Sequence, residues 1–276
     1  TFNTSQVLQQ PERYEIEIEY IGSPKEDHDK IMESFYNSVG LMMGKIQDSK
    51  VVISKTEKNN VLNEYRELIL SHYLNKIDEQ LENLERHVYT LESESKPIDK
   101  KLIKTIERLK KSKSIYGYYD KDTRISHINN KYPFKRCWIG PKPITLERDN
   151  LLEGGLDSIV KDYSVTDKAD GERMMLFINL DGYAYFINNN MDVKPVVLNK
   201  EKLRLIDYSS VLIDGEFIKY DKKGNDYNRF LAFDIYWGNK KYLLAELKLF
   251  SEDSKISNRY SELQKIFNNM LDKYTK

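Results

Sequence analysis

The spacing of hydrophobic residues predicts helices in the first half of the chain. From about Asp27 to Met43, apolar residues recur three or four positions apart, as they do on one face of a helix. From Leu70 to Leu91 they follow alternating steps of four and three residues, the spacing of a helix–helix seam. Pro97 then stands near the first turn of a further helix with apolar positions at 98, 102, 106 and 109. We therefore predict a helical hairpin here.

Short alternating segments predict strands on either side of this helical region. Residues 13–21 alternate charged and bulky side chains with period two, which predicts a strand. Residues 116–130 are rich in tyrosine, and we interpret them as a loop. Asp181-Gly182 is a strong two-residue hairpin signal. Further strands are predicted at Tyr163–Lys168, Arg173–Leu180, Tyr183–Ile187, Val211–Tyr220 and Arg229–Trp237, and a last helix from about Asn258 to Lys273.

Composition and charge exclude several classes of protein. The 276 residues include 44 Lys+Arg and 44 Asp+Glu, so the formal net charge is zero and any contact with nucleic acid must be local. Cys137 is the sole cysteine, which excludes an intrachain disulfide and favours a reducing compartment. The apolar runs fall short of the roughly 18 residues of a membrane span, so we expect no membrane partner. The chain begins at Thr1, and we expect it to be a piece of a longer polypeptide.

The segment from Lys168 to Arg173 (KADGER) is the first candidate for chemistry. Gly171 permits a tight turn and a close approach by a ligand. Arg173 adds a fixed cationic fork suited to phosphate or ribose oxygens. A lysine becomes a nucleophile only in its neutral form, which burial or a neighbouring cation favours. The alternative is a surface hairpin with both cations in solvent.

Two later segments add carboxylates and an aromatic ring. In the predicted strand 212–218, period two places Asp214 and Glu216 on one face, which suits a divalent metal or a ribose hydroxyl, or else a polar strand end. In 230–236, the same alternation separates Phe230, Ala232 and Asp234 from Leu231, Phe233 and Ile235. An aromatic ring beside a nucleotide cleft stacks on a base, although such a ring is more often core.

Together and in this order, the three segments resemble motifs I, III and IIIa of the covalent nucleotidyltransferases, which comprise mRNA capping guanylyltransferases and polynucleotide ligases. The resemblance implies that Lys168 attacks the nucleotide α-phosphate and forms a lysyl-N–nucleotide adduct. It also implies a nucleotide site made by Asp170, Arg173, Glu216 and Phe233, with Asp214 as a candidate metal ligand. The implied substrate is GTP, with Mg²⁺ or Mn²⁺.

Two other segments favour the capping branch. Gly140-Pro-Lys-Pro-Ile-Thr145 resembles the segment that precedes motif I in capping guanylyltransferases. Glu15, Glu17 and Glu19 share one strand face roughly 6.6 Å apart, close enough to repel unless a cation lies among them; the alternative is a solvated edge strand. They resemble the metal-binding strand of the triphosphate tunnel RNA 5′-triphosphatases. The combination resembles capping enzymes of large cytoplasmic DNA viruses, of the African swine fever and giant-virus type.

The expected architecture follows from these resemblances. The fold class is α+β, with the antiparallel sheet core of a nucleotidyltransferase (ATP-grasp-like, ligase/capping), preceded by a helical hairpin and one strand of a triphosphate tunnel β-barrel. The expected divisions are 1–22 (triphosphatase strand), 23–130 (helical region) and 131–276 (guanylyltransferase part). The expected partners are GTP, the 5′ end of RNA and a methyltransferase domain or subunit, in a cytoplasmic viral factory or virion.

Several alternatives stay open at this point. After Asp234 there is no acidic-Gly motif IV and no convincing K-x-K motif V, so we expect a catalytically incomplete fragment. An ATP-dependent DNA or RNA ligase would use the same Lys168. A helical interaction module would instead use the Leu70–Leu91 seam, with the rest as a non-catalytic scaffold. The basic residues from Lys100 to Lys113 indicate either an RNA-binding patch or a flank neutralised by the acidic helix before it.

Overall fold

The computed structural model describes most of the chain. The described residues are 16–21, 27–47, 49–120, 125–129, 137–141, 144–153, 158–160, 163–198, 201–205, 207–238, 241–251, 253 and 255–274. Contacts divide the chain into two compact units, 1–52 and 53–276. Among the helices described, none has the length and hydrophobicity needed to cross a bilayer.

The first unit contains helix α1 (His28–Ile46), which confirms the helix predicted from Asp27 to Met43. The Asp27 carboxylate accepts a hydrogen bond from the Asp29 amide at 3.0 Å and so caps the helix. Residues 16–21 do not form the predicted strand, because no described strand lies beside them to complete a ladder. Ile16 is 59 % exposed, so its side chain does not pack in a core. Glu15 lies outside the described residues.

The second unit is built on a six-stranded antiparallel sheet. Two small hairpins lie outside it, one of β1 (Gly117–Asp120) with β2 (Ile125–Ile128) and one of β6 (Val197–Leu198) with β7 (Glu201–Lys202). The strands of the main sheet are β3 (Glu172–Ile178), β4 (Ala184–Asn188), β5 (Val193–Pro195), β8 (Val211–Tyr220), β9 (Asp226–Gly238) and β10 (Lys241–Tyr242). Their order is β10-β9-β8-β3-β4-β5. The predicted strands at β3, β4, β8 and β9 are confirmed.

Two predictions about this half of the chain are wrong. Residues 163–168 form no strand, and Val165 is fully exposed, so this stretch has neither a ladder partner nor a core to pack against. The tyrosine-rich stretch predicted as a loop contains the β1–β2 hairpin. Tyrosine is favoured in strands, and the prediction of a loop did not take this preference into account.

Helices cover both faces of the sheet. They are α2 (Lys55–Ser93), α3 (Lys100–Tyr116), the short α4 (Leu243–Glu246) and α5 (Arg259–Tyr274), and a 3-10 turn spans Arg148–Leu151. On one face, Tyr65 of α2 makes an edge-to-face contact with Phe177 at 5.8 Å in a shared core. On the other face, Leu263 and Ile266 of α5 pack with Ile213. The last predicted helix is thereby confirmed.

The second half of α2 and the whole of α3 form the predicted helical hairpin. Lys113 of α3 bonds Asp78 of α2 at 2.6 Å, and Lys110 bonds Glu85 at 2.7 Å. These pairs neutralise two of the basic residues of α3, Lys110 and Lys113, against acidic residues of α2. Along the predicted seam, Leu70, Leu74 and Leu81 are buried, so the described chain itself covers these positions.

A bulge in β9 changes which residues face each side of the sheet. Asp214 pairs with Asp234, but the next residue, Gly215, pairs with Ala232, so Phe233 has no partner in the ladder. As a result Ile235 packs in the same core as Ala232, although strict alternation predicted opposite faces. A side chain on Gly215 would not fit, because its Cβ would lie 2.4 Å from the ring of Phe230.

His72 anchors α2 at the edge of the sheet. Its ring lies 3.8 Å from that of Tyr242 and makes an edge contact with Trp237. Burial lowers the pKa of His72, and the charge of Lys76 lowers it further, against the opposing effect of two glutamates. The folded chain therefore favours the neutral imidazole.

We predict that this histidine makes the chain less stable in mild acid. Below an unfolded pKa of about 6.5, the unfolded chain takes up a proton that folded His72 resists, so its stabilising contribution is lost as the pH falls. Urea unfolding at pH 7.5 and 5.5 should therefore show a smaller loss of stability in His72→Phe, which keeps the ring contact. An equal loss in both proteins would contradict this.

Candidate functional site

The candidate site is built around an ion pair between β3 and β8. Arg173 lies directly opposite Glu216 in the ladder, and Asp214 lies two residues away on the same face of β8. The Arg173 guanidinium binds both carboxylate oxygens of Asp214, with Nε donating to Oδ1 at 3.1 Å. Asp214 is fully buried, and 28 % of the Arg173 side chain is exposed. The pair thus reaches from the core to the surface.

Further hydrogen bonds hold this pair in place. The Tyr236 hydroxyl donates to Asp214 Oδ2, and burial, followed by the nearby carboxylate, raises the pKa of Tyr236 and keeps the hydroxyl protonated. Arg173 Nη1 donates to the carbonyl of Pro141 at 2.6 Å. The hydrogen bonds to Asp214 raise the pKa of Arg173, so the cation is permanent. Three of its five N–H donors are engaged in these bonds.

A second contact fixes the turn that precedes β3. The Gly171 amide donates to Glu216 Oε1 at 2.9 Å. A side chain at Gly171 would place its Cβ 2.5 Å from the carbonyl oxygen of Phe217, so a glycine is needed for this close approach. Glu216 therefore holds the KADGER turn against β8.

Lys168 lies before this turn in a stretch without regular structure. Its side chain is 88 % exposed, and its Nζ lies 3.8 Å from a carboxylate oxygen of the equally exposed Asp170. The structure thus presents Lys168 to solvent on a segment whose C-terminal end is tied down at Gly171. Such a lysine is accessible to a large charged ligand.

Aromatic rings flank the exposed side of Arg173. Its guanidinium carbon lies 5.8 Å from the ring centre of Phe233 and 6.0 Å from that of Trp138. The β9 bulge brings Phe233 to this face, where 37 % of its surface is exposed. The structure therefore brings Arg173, Asp214, Glu216 and Phe233 together on one face of the sheet.

Sequence reasoning missed three parts of the site. The bulge moves Tyr236 onto the same face as Phe233, which period two cannot anticipate. Trp138 and the Pro141 carbonyl approach Arg173 from a distant part of the chain. The Gly140–Thr145 segment could have indicated Trp138 and the Pro141 carbonyl. Its resemblance to the segment that precedes motif I already linked this part of the chain to the KADGER turn. Lys142 and Pro143 lie outside the described residues.

The described residues do not assemble a metal site. No three His, Cys, Asp or Glu side chains converge among them in a way that would hold an ion. Both oxygens of Asp214 accept hydrogen bonds from Arg173, and one accepts from Tyr236 as well. Glu17 and Glu19 are exposed. The predicted roles of these carboxylates as ligands therefore find no support in the described geometry, and they stay predictions.

A comparison with known families identifies the lineage of this site. Residues 122–276 match the family described as mRNA capping enzyme, catalytic domain, and this match covers more than half of the chain. The chain belongs to the mRNA capping enzyme catalytic domain family. All of the strands β3–β10 of this capping domain lie within the match, whereas α2 and α3 lie before it.

A curated viral protein is similar to this chain over nearly the whole length of this chain. It is a probable mRNA-capping enzyme of Acanthamoeba polyphaga mimivirus, 28% identical over 265 residues. The alignment covers 95% of this chain and 15% of the relative, so the chain spans about a seventh of the relative's length. The similarity supports the predicted resemblance to capping enzymes of giant viruses.

We predict a graded effect on stability when the Arg173–Asp214 pair is dismantled. Asp214→Asn leaves a partly buried guanidinium without its counter-charge and should lower the free energy of unfolding by about 2–4 kcal/mol. Tyr236→Phe removes one hydrogen bond and should cost about 1 kcal/mol. Urea unfolding monitored by tryptophan fluorescence measures both. Equal effects of the two variants would show that the ion pair does not anchor the site.

Proposed function

We propose that this chain carries the guanylyltransferase site of an mRNA capping enzyme, and that Lys168 forms the covalent lysyl-N–GMP intermediate. The observation that carries the proposal is the arrangement at the start of β3. An exposed lysine precedes a turn that Glu216 ties to β8, beside an anchored Arg173 and an accessible Phe233 ring. Membership of the capping-enzyme family supports the reaction class.

The proposed reaction has two balanced steps. In the first, the lone pair of neutral Lys168 Nζ attacks the α-phosphorus of GTP, a P–N bond forms, and the bond to the pyrophosphate oxygen breaks. The nitrogen loses a proton, and pyrophosphate leaves. In the second, a terminal oxygen of a diphosphate-ended RNA attacks the same phosphorus, the P–N bond breaks, and Nζ regains a proton. The transferred GMP then ends the RNA chain.

The surrounding residues supply binding and orientation. Arg173 and Glu216 would contact the ribose, and Phe233 would stack on the base through its exposed face. Asp170 lies beside Lys168 and completes the proposed nucleotide site. Mg²⁺ or Mn²⁺ would supply neutralisation of the charge that develops on the pyrophosphate as it leaves.

The remaining expectations extend this proposal to a larger protein. Glu15, Glu17 and Glu19 would belong to an RNA 5′-triphosphatase strand, a proposal that rests on their alternation in the sequence and on the resemblance it carries. The African swine fever type of organisation, a methyltransferase partner and a location in a viral factory or virion also stay proposals. None of them is needed for the chemistry of Lys168.

We predict that the chain, or the longest natural form that contains it, becomes covalently labelled by α-³²P GTP with Mg²⁺ or Mn²⁺. Lys168→Arg keeps the positive charge but not the nucleophile, so it should abolish the label on a denaturing gel. Lys222→Arg, an equally conservative change at an exposed residue of the β8–β9 turn, should leave the label unchanged.

The other outcomes of this labelling are equally informative. Label from ATP alone would contradict the proposal and assign the chain to the ligases. Label in the longer form only would support the expectation that motifs IV and V are needed. No label in either form, with the protein folded, would overturn the proposed activity.

A further inference from the structure

One strongly charged surface of the second unit has no role in the proposed guanylyl transfer. It lies on α3, whose inner side is fixed by the ion pairs from Lys113 to Asp78 and from Lys110 to Glu85. These contacts define which side of α3 faces α2. They leave the opposite side of the helix directed toward solvent.

That opposite side carries a row of cations, which we call the outer basic stripe. Its members are exposed and lie within about 100° of the helix circumference at 3.6 residues per turn; they are Lys100, Lys101, Lys104, Arg108 and Lys111. The ion pairs of the described chain involve none of these five side chains. At 1.5 Å per residue the stripe is about 16 Å long.

The two acidic residues of the same helix segment, Asp99 and Glu107, do not neutralise the stripe. Asp99 caps the helix by accepting a hydrogen bond from the Lys101 amide at 2.8 Å, and Glu107 lies at one margin of the stripe. Five cations against these two carboxylates leave an excess of positive charge. The chain as a whole has a net charge of zero, so this excess is local.

The stripe is also unfavourable for the isolated helix. Lys104 stands four residues from both Lys100 and Arg108, and like charges at this spacing destabilise a helix by about 0.2–0.5 kcal/mol each. A polyanion lying along the stripe would remove this repulsion. Four of the five cations are lysines, and the sequence from Lys100 to Lys111 contains no aromatic residue, which fits contacts with a phosphate backbone and not with bases.

We propose that the outer basic stripe binds the phosphate backbone of RNA. If the proposed function holds, this RNA is the transcript whose 5′ end enters the Lys168 site. The hairpin is suited to this task because α2, which pairs with α3 through Asp78 and Lys113, also packs in the core of the sheet that carries Arg173. The stripe therefore has a fixed position relative to the site. It would hold the body of the transcript without selecting its sequence.

The test compares two variants of equal charge in binding a labelled, mixed-sequence single-stranded RNA. The stripe variant carries Lys104→Gln, Arg108→Gln and Lys111→Gln. The control carries Lys30→Gln, Lys76→Gln and Lys255→Gln, three exposed lysines outside the stripe. Fluorescence anisotropy gives the dissociation constant as the KCl concentration varies, and circular dichroism checks that both variants keep their helices.

The stripe variant should bind RNA up to about a hundredfold more weakly at 0.1 M salt, with a log–log salt slope lower by about 2, since each single-strand phosphate contact contributes about 0.7. The control should bind as the unmodified chain does. Equal weakening in both variants, or none in the stripe variant, would overturn the proposal. So would a stripe that binds polyglutamate, as a mimic of an acidic protein segment, more tightly than RNA.

Covalent labelling with GTP in the absence of RNA separates this proposal from the proposed function. The stripe variant should label as well as the unmodified chain, because the stripe contacts only RNA. Loss of RNA binding with intact labelling supports the stripe. Failure of the unmodified chain to label, with stripe-dependent RNA binding retained, would contradict guanylyl transfer alone.

Discussion

A buried carboxylate, Asp214, sets the geometry of the candidate site. Taking a charge fully out of water is costly unless hydrogen bonds and a counter-charge compensate it. Here the compensation comes from the Arg173 guanidinium across the ladder and from the Tyr236 hydroxyl. The Arg173 guanidinium is thereby held near the rings of Trp138 and Phe233. Its N–H groups that do not bond Asp214 or Pro141 are held in a fixed position. The other features of the site are arranged around that requirement.

The β9 bulge follows from the same constraint. Both Tyr236, which donates to Asp214, and Phe233, which lies beside Arg173, are on one face of the sheet although they are three residues apart. Strict alternation would place them on opposite faces, and one unpaired residue between Ala232 and Asp234 resolves the conflict. The absence of a side chain at Gly215 then lets the Phe230 ring pack closely behind the bulge.

The long helix α2 connects this site to the rest of the second unit. Its first half packs on the face of the sheet that carries Asp214, where Tyr65 is fully buried and donates to the Cys137 carbonyl at 3.1 Å. Cys137 itself is buried, and this burial raises the pKa of its thiol to about 11. Its second half extends along α3. One helix thus links the sheet core to the charged hairpin.

Local patterns in the sequence predicted most of the described helices and strands but not how the strands pair. Period two located β3 and β8, and the resemblance to the family's motifs put Arg173 and Glu216 in one predicted site; the two residues lie opposite each other in the ladder. The bulge, by contrast, depends on the fit between strands, and the approach of Trp138 depends on a contact over 35 residues. The stretch 163–168 alternates like a strand, yet a strand forms only beside a partner, which a local pattern does not reveal.

The most direct measurement is peptide mapping by mass spectrometry after incubation with GTP and Mg²⁺. It identifies both the modified side chain and the attached nucleotide. The account predicts GMP on the Nζ of Lys168, in the peptide that contains the KADGER turn. GMP on any other lysine, or AMP on Lys168 from ATP and no adduct from GTP, would contradict it.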